Sequence, residues 1–136
     1  MSNDDTVWAE TTDGGLLQQL FGYYPTLHDA VLRSVEINPA ADLITMDVDY
    51  QDMVGDDPDQ EMKVRIRLEW REIESFELPL DIKYFGGLGF KRRGDKIITS
   101  LEFMGEFGTV TSESVEAILV KMDPGDSDET PWLRYK

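Results

Sequence analysis

The sequence predicts one α+β domain, an antiparallel sheet of about five strands with a short N-terminal helix packed near one end. Hydrophobic and polar residues alternate with a period of two along several segments, which is typical of strands that cover a core on one side only. The segment Gly15–Phe21 instead has the composition and flanking residues of a helix. With 136 residues, of which 40% are hydrophobic, the chain is long enough for one domain with its own core.

The predicted helix covers Gly15–Phe21. Thr11, Thr12 and Asp13 precede it, and each has a side-chain oxygen that can cap the start of a helix. Gly22 follows it, and glycine readily adopts the left-handed backbone conformation that ends many helices. The helix is therefore expected to be short and to end at Gly22.

Five segments have the pattern of strands. In the clearest, Met62–Arg71, hydrophobic residues alternate strictly with charged ones, and Ile44–Tyr50 alternates in a similar way. Val31–Ile37 and Lys96–Met104 follow the same pattern less regularly. Ser112–Met122 fits the spacing of a helix as well as that of a strand, and the β-branched residues just before it favour a strand.

The remaining segments are predicted to be connections. Gly86–Arg93 places glycines beside basic residues, but it lacks the glycine spacing and the strand–helix frame of a phosphate-binding loop. We expect a mobile or bulged connection there, which could contact a partner, and then a turn at Gly94 and Asp95. Two segments, about 1–12 and 123–131, are expected to be flexible.

The charge of the chain restricts its partners. There are 28 acidic and 13 basic residues, which gives a net charge of −15. Such a charge repels nucleic acid and anionic membranes and speeds the encounter with a basic protein, although solubility alone could also explain it. The sequence contains no cysteine, no secretory signal and no apolar run that could span a membrane. We therefore expect a cytoplasmic protein.

The sequence predicts no catalytic centre. His28 and Asp29 bring an imidazole and a carboxylate together, but no nucleophile elbow accompanies them. We favour a structural role in which Asp29 or Thr26 caps a turn and His28 donates a hydrogen bond. A single histidine and acidic loops without the calcium-loop spacing predict no metal and no cofactor. A small enzyme that uses His28 and Asp29 is the less favoured alternative.

Two segments resemble the immunity protein 50 family. The run FGYYPTLHDA at Phe21–Ala30 resembles the opening of that family, in which an aromatic residue, a proline and a His-Asp-Ala triplet precede the first strand. Ser100–Val110 resembles the strand, glycine turn and strand near the end of the family, whereas Leu80–Phe90 departs from its pattern. The resemblance implies a bacterial immunity protein of a polymorphic-toxin system, which binds and neutralises one cognate toxin domain without catalysis.

The predicted binding surface is the acidic strand and loop from residue 47 to residue 61. It comprises seven carboxylates: Asp47, Asp49, Asp52, Asp56, Asp57, Asp59 and Glu61. For Asp47 and Asp49, the competing interpretation, which we favour for these two acids, is pairing with the basic residues of the next strand. Pro25, His28 and Asp29 are interpreted as the structural motif at the junction between helix and strand.

The expected partner is a basic toxin protein, with neither nucleic acid nor membrane involved. An edge strand of the sheet could also pair with a second copy of the chain, so a homodimer is a further expectation. The alternative function is a generic accessory or scaffold domain with no tightly bound partner.

Overall fold

The structure is a computed structural model that describes residues 3–28, 30–54, 57–79, 85–103 and 105–124. Within these residues the chain forms two helices and six strands. They are α1 (Asn3–Glu10), α2 (Gly14–Phe21), β1 (Val31–Asn38), β2 (Leu43–Val54), β3 (Asp57–Glu77), β4 (Gly87–Arg93), β5 (Lys96–Phe103) and β6 (Glu106–Pro124).

The strands form one antiparallel sheet in the order β1-β2-β3-β6-β5-β4. The predicted α+β class with an antiparallel sheet is confirmed, and the ambiguous segment 112–122 is a strand, as favoured. The predicted number of five strands is wrong, because the segment expected to be a mobile or bulged connection forms β4. Leu88 and Phe90 are buried in this strand, but the glycines on either side of Leu88 weaken the strand pattern in the sequence.

Helix α1 was not predicted from the sequence. Its hydrophobic face consists of Val7 and Trp8, both of which are buried. The ring of Trp8 meets that of Phe90 edge-on, with 5.3 Å between the ring centroids. Glu10 forms an ion pair with Arg92 of β4. Residues 3–10 therefore lie against β4. The other segment that was expected to be flexible is 123–131, and it lies outside the described residues from position 125 onwards.

Helix α2 begins and ends close to the predicted positions. Gly22 adopts the left-handed conformation with φ of 84°, and its N–H donates to the carbonyl of Gln18 at 2.8 Å. At the start of the helix, a Cβ atom on Gly14 would overlap the carbonyl oxygen of Trp8. Asp13, one of the three predicted caps, instead accepts a hydrogen bond from the backbone N–H of Leu119 at 2.7 Å. Asp13 thus joins α2 to β6.

The core lies between one face of the sheet and the two helices. The alternating hydrophobic residues of β2 and β3 point into it, and Met62 among them is partly buried. The others are buried: Ile44, Met46, Val48, Tyr50, Val64, Ile66, Leu68 and Trp70. Helix α1 contacts β4, and α2 contacts β2 and β6. The helices therefore cover this face, which corrects the expectation of one helix near the end of the sheet.

Candidate functional site

The polar face of β2 and β3 carries a ladder of ion pairs. Asp47 lies opposite Arg67, and Asp49 lies opposite Arg65. Each arginine donates Nε to one carboxylate oxygen, at 2.8 Å for Asp47 and 2.7 Å for Asp49. Each also donates Nη2 to the second oxygen, at 3.1 Å and 3.3 Å respectively. The cross-strand pairing that was favoured for these two acids is therefore present, in the bidentate form that gives strong charge-assisted hydrogen bonds.

Asp49 is enclosed by arginines. Its side chain is 0% exposed, and Arg33 of β1 adds a second cation, with Nε 3.4 Å from Oδ2. Burial raises the pKa of the Asp49 carboxyl, and the guanidinium groups of Arg65 and Arg33 oppose that rise. A partner could reach this carboxylate only by displacing the arginines. Asp47, with its side chain 17% exposed, is more accessible.

Asp52 belongs to a small hydrogen-bonded cluster with two tyrosines. The hydroxyl of Tyr23 donates to Asp52 Oδ2, and the hydroxyl of Tyr50 lies 3.2 Å from the same oxygen. The two hydroxyl oxygens are 2.6 Å apart. Burial, together with the hydrogen bond to Asp52, raises the pKa of the Tyr23 phenol, so Tyr23 stays protonated as a donor. The cluster connects β2 with the segment that follows α2.

The other predicted site residues lie around the turn between β2 and β3. Asp56 lies outside the described residues. Asp57 and Asp59 belong to the first residues of β3, where Asp57 pairs with Val54. Glu61 is exposed and accepts a hydrogen bond from Gln51 Nε2 at 3.0 Å. The structure therefore places the described acids from Asp52 onwards at the turn end of the β2–β3 hairpin, beyond the ion-pair ladder.

The predicted structural motif lies between α2 and β1. His28 is exposed, and its Nδ1 is 2.6 Å from the carbonyl oxygen of Gly86. Because a carbonyl oxygen only accepts, Nδ1 is the donor in this bond. Pro25 is buried, and Leu27 has a positive φ of 60°, whereas Asp29 lies outside the described residues. His28 thus joins this junction to the residue that precedes β4.

A second acidic cluster, which the sequence analysis missed, lies at the opposite end of β3. Glu72 and Glu113 share a hydrogen bond between their carboxyl groups, and this contact raises the pKa of Glu72. Lys96 Nζ lies 3.7 Å from a carboxylate oxygen of Glu113 and 4.0 Å from one of Glu74. The predicted strand ends at Arg71, and the alternation does not indicate that residues 72–74 continue beside β6.

Replacing Glu113 with glutamine is expected to lower the pKa of Glu72 towards its ordinary value of 4.5, because the hydrogen bond between the two carboxyl groups is lost together with the neighbouring negative charge. Between pH 4.5 and the raised pKa of the folded state, the Glu72 carboxyl of the native chain keeps a proton that it releases in the unfolded state. Its contribution to the free energy of unfolding therefore falls as the pH rises through this range. Titration of the carboxyl carbon by NMR measures the change, and Glu102→Gln is the control. An unchanged pKa in Glu113→Gln would show that the contact has no effect.

Among the residues that the structure describes, no three histidine, aspartate or glutamate side chains are grouped so that they could hold a metal ion. No helix in the described ranges is both long and apolar enough to cross a membrane. Comparisons with protein-family models, with curated proteins and with solved structures found no match to this chain.

Proposed function

We propose that this chain is a non-enzymatic immunity protein that binds a basic toxin domain in the bacterial cytoplasm and blocks its activity. One observation carries the proposal, the separation of charge along the β2–β3 hairpin. In the middle of the hairpin, Asp47 and Asp49 are paired with arginines. Towards the turn, residues 52–61, which we call the acidic hairpin, contain five acidic residues and no basic one.

The acidic hairpin suits a basic partner for electrostatic reasons. A concentration of like charge at one end of a molecule attracts an oppositely charged protein over about one Debye length, roughly 10 Å at 0.1 M salt. This attraction raises the rate of association more than it slows dissociation. Toxins that act on nucleic acid need basic surfaces, and a row of carboxylates can occupy such a surface in place of phosphates.

The proposal of a toxin as the partner is supported by the sequence resemblance to the immunity protein 50 family. The resemblance is carried by Phe21–Ala30 and Ser100–Val110. In the structure, the first segment joins α2 to β1, and the second contains the turn at Gly105, where φ is 91°. The alternative of an accessory or scaffold domain predicts no partner whose affinity depends on the acidic hairpin. An enzyme would instead need His28 and Asp29 for turnover.

The triple variant Asp56→Asn, Asp57→Asn and Asp59→Asn is expected to slow association with the toxin by about tenfold at about 0.05 M salt. The dissociation rate should change much less, because steering acts before the contacts form. The toxin is first captured from the lysate of the native organism on the immobilised full chain. Surface plasmon resonance then measures both rates for this toxin.

A matched triple variant serves as the control. Asp95→Asn, Glu102→Gln and Glu106→Gln alter three exposed acids in or beside the β4–β5 and β5–β6 turns. Each triple variant removes three of the negative charges, so both change the net charge from −15 to −12. Equal slowing by the two variants would mean that the total charge, and not the acidic hairpin, attracts the toxin. Unchanged rates in both would refute the electrostatic assignment.

A further inference from the structure

A cavity of about 420 Å³ opens at the end of the sheet opposite to the acidic hairpin. It lies between the β1–β2 turn and the last residues of β3. We call it the notch, and its main lining residues are Ile37, Asp42, Ile44, Ile73, Glu74 and Phe76. Its volume falls within the range of roughly 300–1,000 Å³ that is usual for ligand pockets.

The notch exists because β3 extends beyond β2. Leu43, the first residue of β2, lies opposite Arg71, so the later residues of β3 pair only with β6 in the described part of the sheet. Asp42 joins the β1–β2 turn to β3. Its Oδ1 accepts a hydrogen bond from the N–H of Ile73 at 3.1 Å, and its carbonyl accepts one from the N–H of Glu72 at 3.2 Å. The recess is therefore bounded by hydrogen-bonded backbone.

The walls of the notch are apolar and accessible. Ile37 and Phe76, on its two sides, are each 45% exposed, while Ile44 is fully buried. Neither α1 nor α2 contributes a lining residue. A recess with large exposed apolar side chains is typical of a surface that receives an apolar group of a partner.

The surroundings of the notch are acidic. Asp42 and Glu74 line it, and Glu72 is close enough to Asp42 and Glu113 for each to raise its pKa. The ion pairs of the described residues bring one cation, Lys96, to this group of carboxylates. Because a second copy of the chain would itself bring a charge of −15, charge complementarity favours a basic occupant over a homodimer.

We propose that the notch binds a basic segment of another protein. A large aromatic side chain of that segment fills the cavity between Ile37 and Phe76. Lysine or arginine residues beside it contact Asp42 and Glu74. The notch lies at the other end of β2 and β3 from the acidic hairpin, so this inference does not rest on the proposed neutralisation of a toxin.

The test is a titration of the full-length chain with a short amidated peptide, Lys-Arg-Trp-Arg-Lys, followed by backbone amide NMR. The largest shifts are expected at the notch, around Ile37, Ile44 and Ile73. A matched peptide with alanine in place of tryptophan is expected to bind about tenfold more weakly, because an aromatic anchor supplies much of the affinity of such contacts.

Substitutions in the protein complete the test. Phe76→Ser is expected to weaken binding of the tryptophan peptide about tenfold, and Ile37→Ser provides a second variant on the opposite wall. The control is Phe107→Ser, since Phe107 is 73% exposed outside the notch. Glu74→Gln should weaken binding at about 0.05 M salt and have little effect at about 0.5 M. The amide spectrum of each free variant verifies its fold.

Four results would overturn the proposal. Equal affinities for the two peptides, or shifts that map outside the notch, would show attraction by charge alone. An equal loss of affinity in Phe107→Ser and Phe76→Ser would show that the notch has no special role. A dimer in sedimentation analysis that Phe76→Ser dissociates would assign the notch to a second copy of the chain.

Discussion

Replacing Asp49 with alanine is expected to lower the free energy of unfolding by about 3 kcal/mol. The side chain of Asp49 is 0% exposed, and it separates the guanidinium groups of Arg33 and Arg65. Its removal leaves these two cations facing each other without the carboxylate that binds both. Denaturation with urea measures the effect, provided that the slope of the transition is unchanged.

Asp47→Ala is the matched control for this prediction. Its carboxylate is 17% exposed and its partner Arg67 is 42% exposed, so a loss of about 1 kcal/mol is expected. Equal losses in the free energy of unfolding of the two variants would contradict the assignment of Asp49 to the buried part of the ion-pair ladder. If Asp49→Ala stays folded and also loses affinity for the toxin, the predicted contact of Asp49 with the partner gains support.

Replacing Trp8 with alanine is expected to destabilise the chain by about 3–5 kcal/mol, the usual cost of removing a buried tryptophan. Trp8 is fully buried. Its ring lies edge-on to Phe90 and stacks with Tyr24 at 6.4 Å between centroids. Because Trp8 is one of the two buried hydrophobic residues of α1, the variant should also lose helical signal in circular dichroism.

Phenylalanine at position 8 separates packing from hydrogen bonding. Among the described residues, no acceptor pairs with the buried Nε1 of Trp8, whereas Nε1 of Trp70 donates to Thr99 Oγ1 at 2.8 Å. Trp70→Phe leaves the buried Thr99 hydroxyl without this donor and is expected to cost about 1–3 kcal/mol more than Trp8→Phe. A larger loss in Trp8→Phe would show that the indole N–H of Trp8 has a partner in solution.

The sequence predicts the sheet best where alternation is strict. In β2 and β3, the hydrophobic members of the pattern lie on the core face, as expected from their period of two. Strand β4 was missed because Gly87 and Gly89 carry no side chain to show the alternation. Helix α1 was missed because a short polar segment with one buried tryptophan has no helical pattern, and tertiary packing decides its conformation.

The candidate site is less predictable because it depends on register. The sequence shows that acids precede arginines along the hairpin, but only the register places Asp49 beside Arg65 and Asp47 beside Arg67. The notch depends on still more distant features. It needs the overhang of β3 and the positive φ of 54° at Asp42, neither of which a single sequence reveals.

Protection of growing cells tests the neutralisation of a toxin most directly. A basic protein is first captured on the immobilised chain at about 0.05 M salt. This protein is then expressed in a host cell alone, together with the native chain, or together with the triple variant of Asp56, Asp57 and Asp59. We predict arrested growth without the chain, normal growth with the native chain, and weaker protection by the triple variant. Growth arrest that the native chain fails to relieve, or capture of no basic protein at all, would contradict the proposed function.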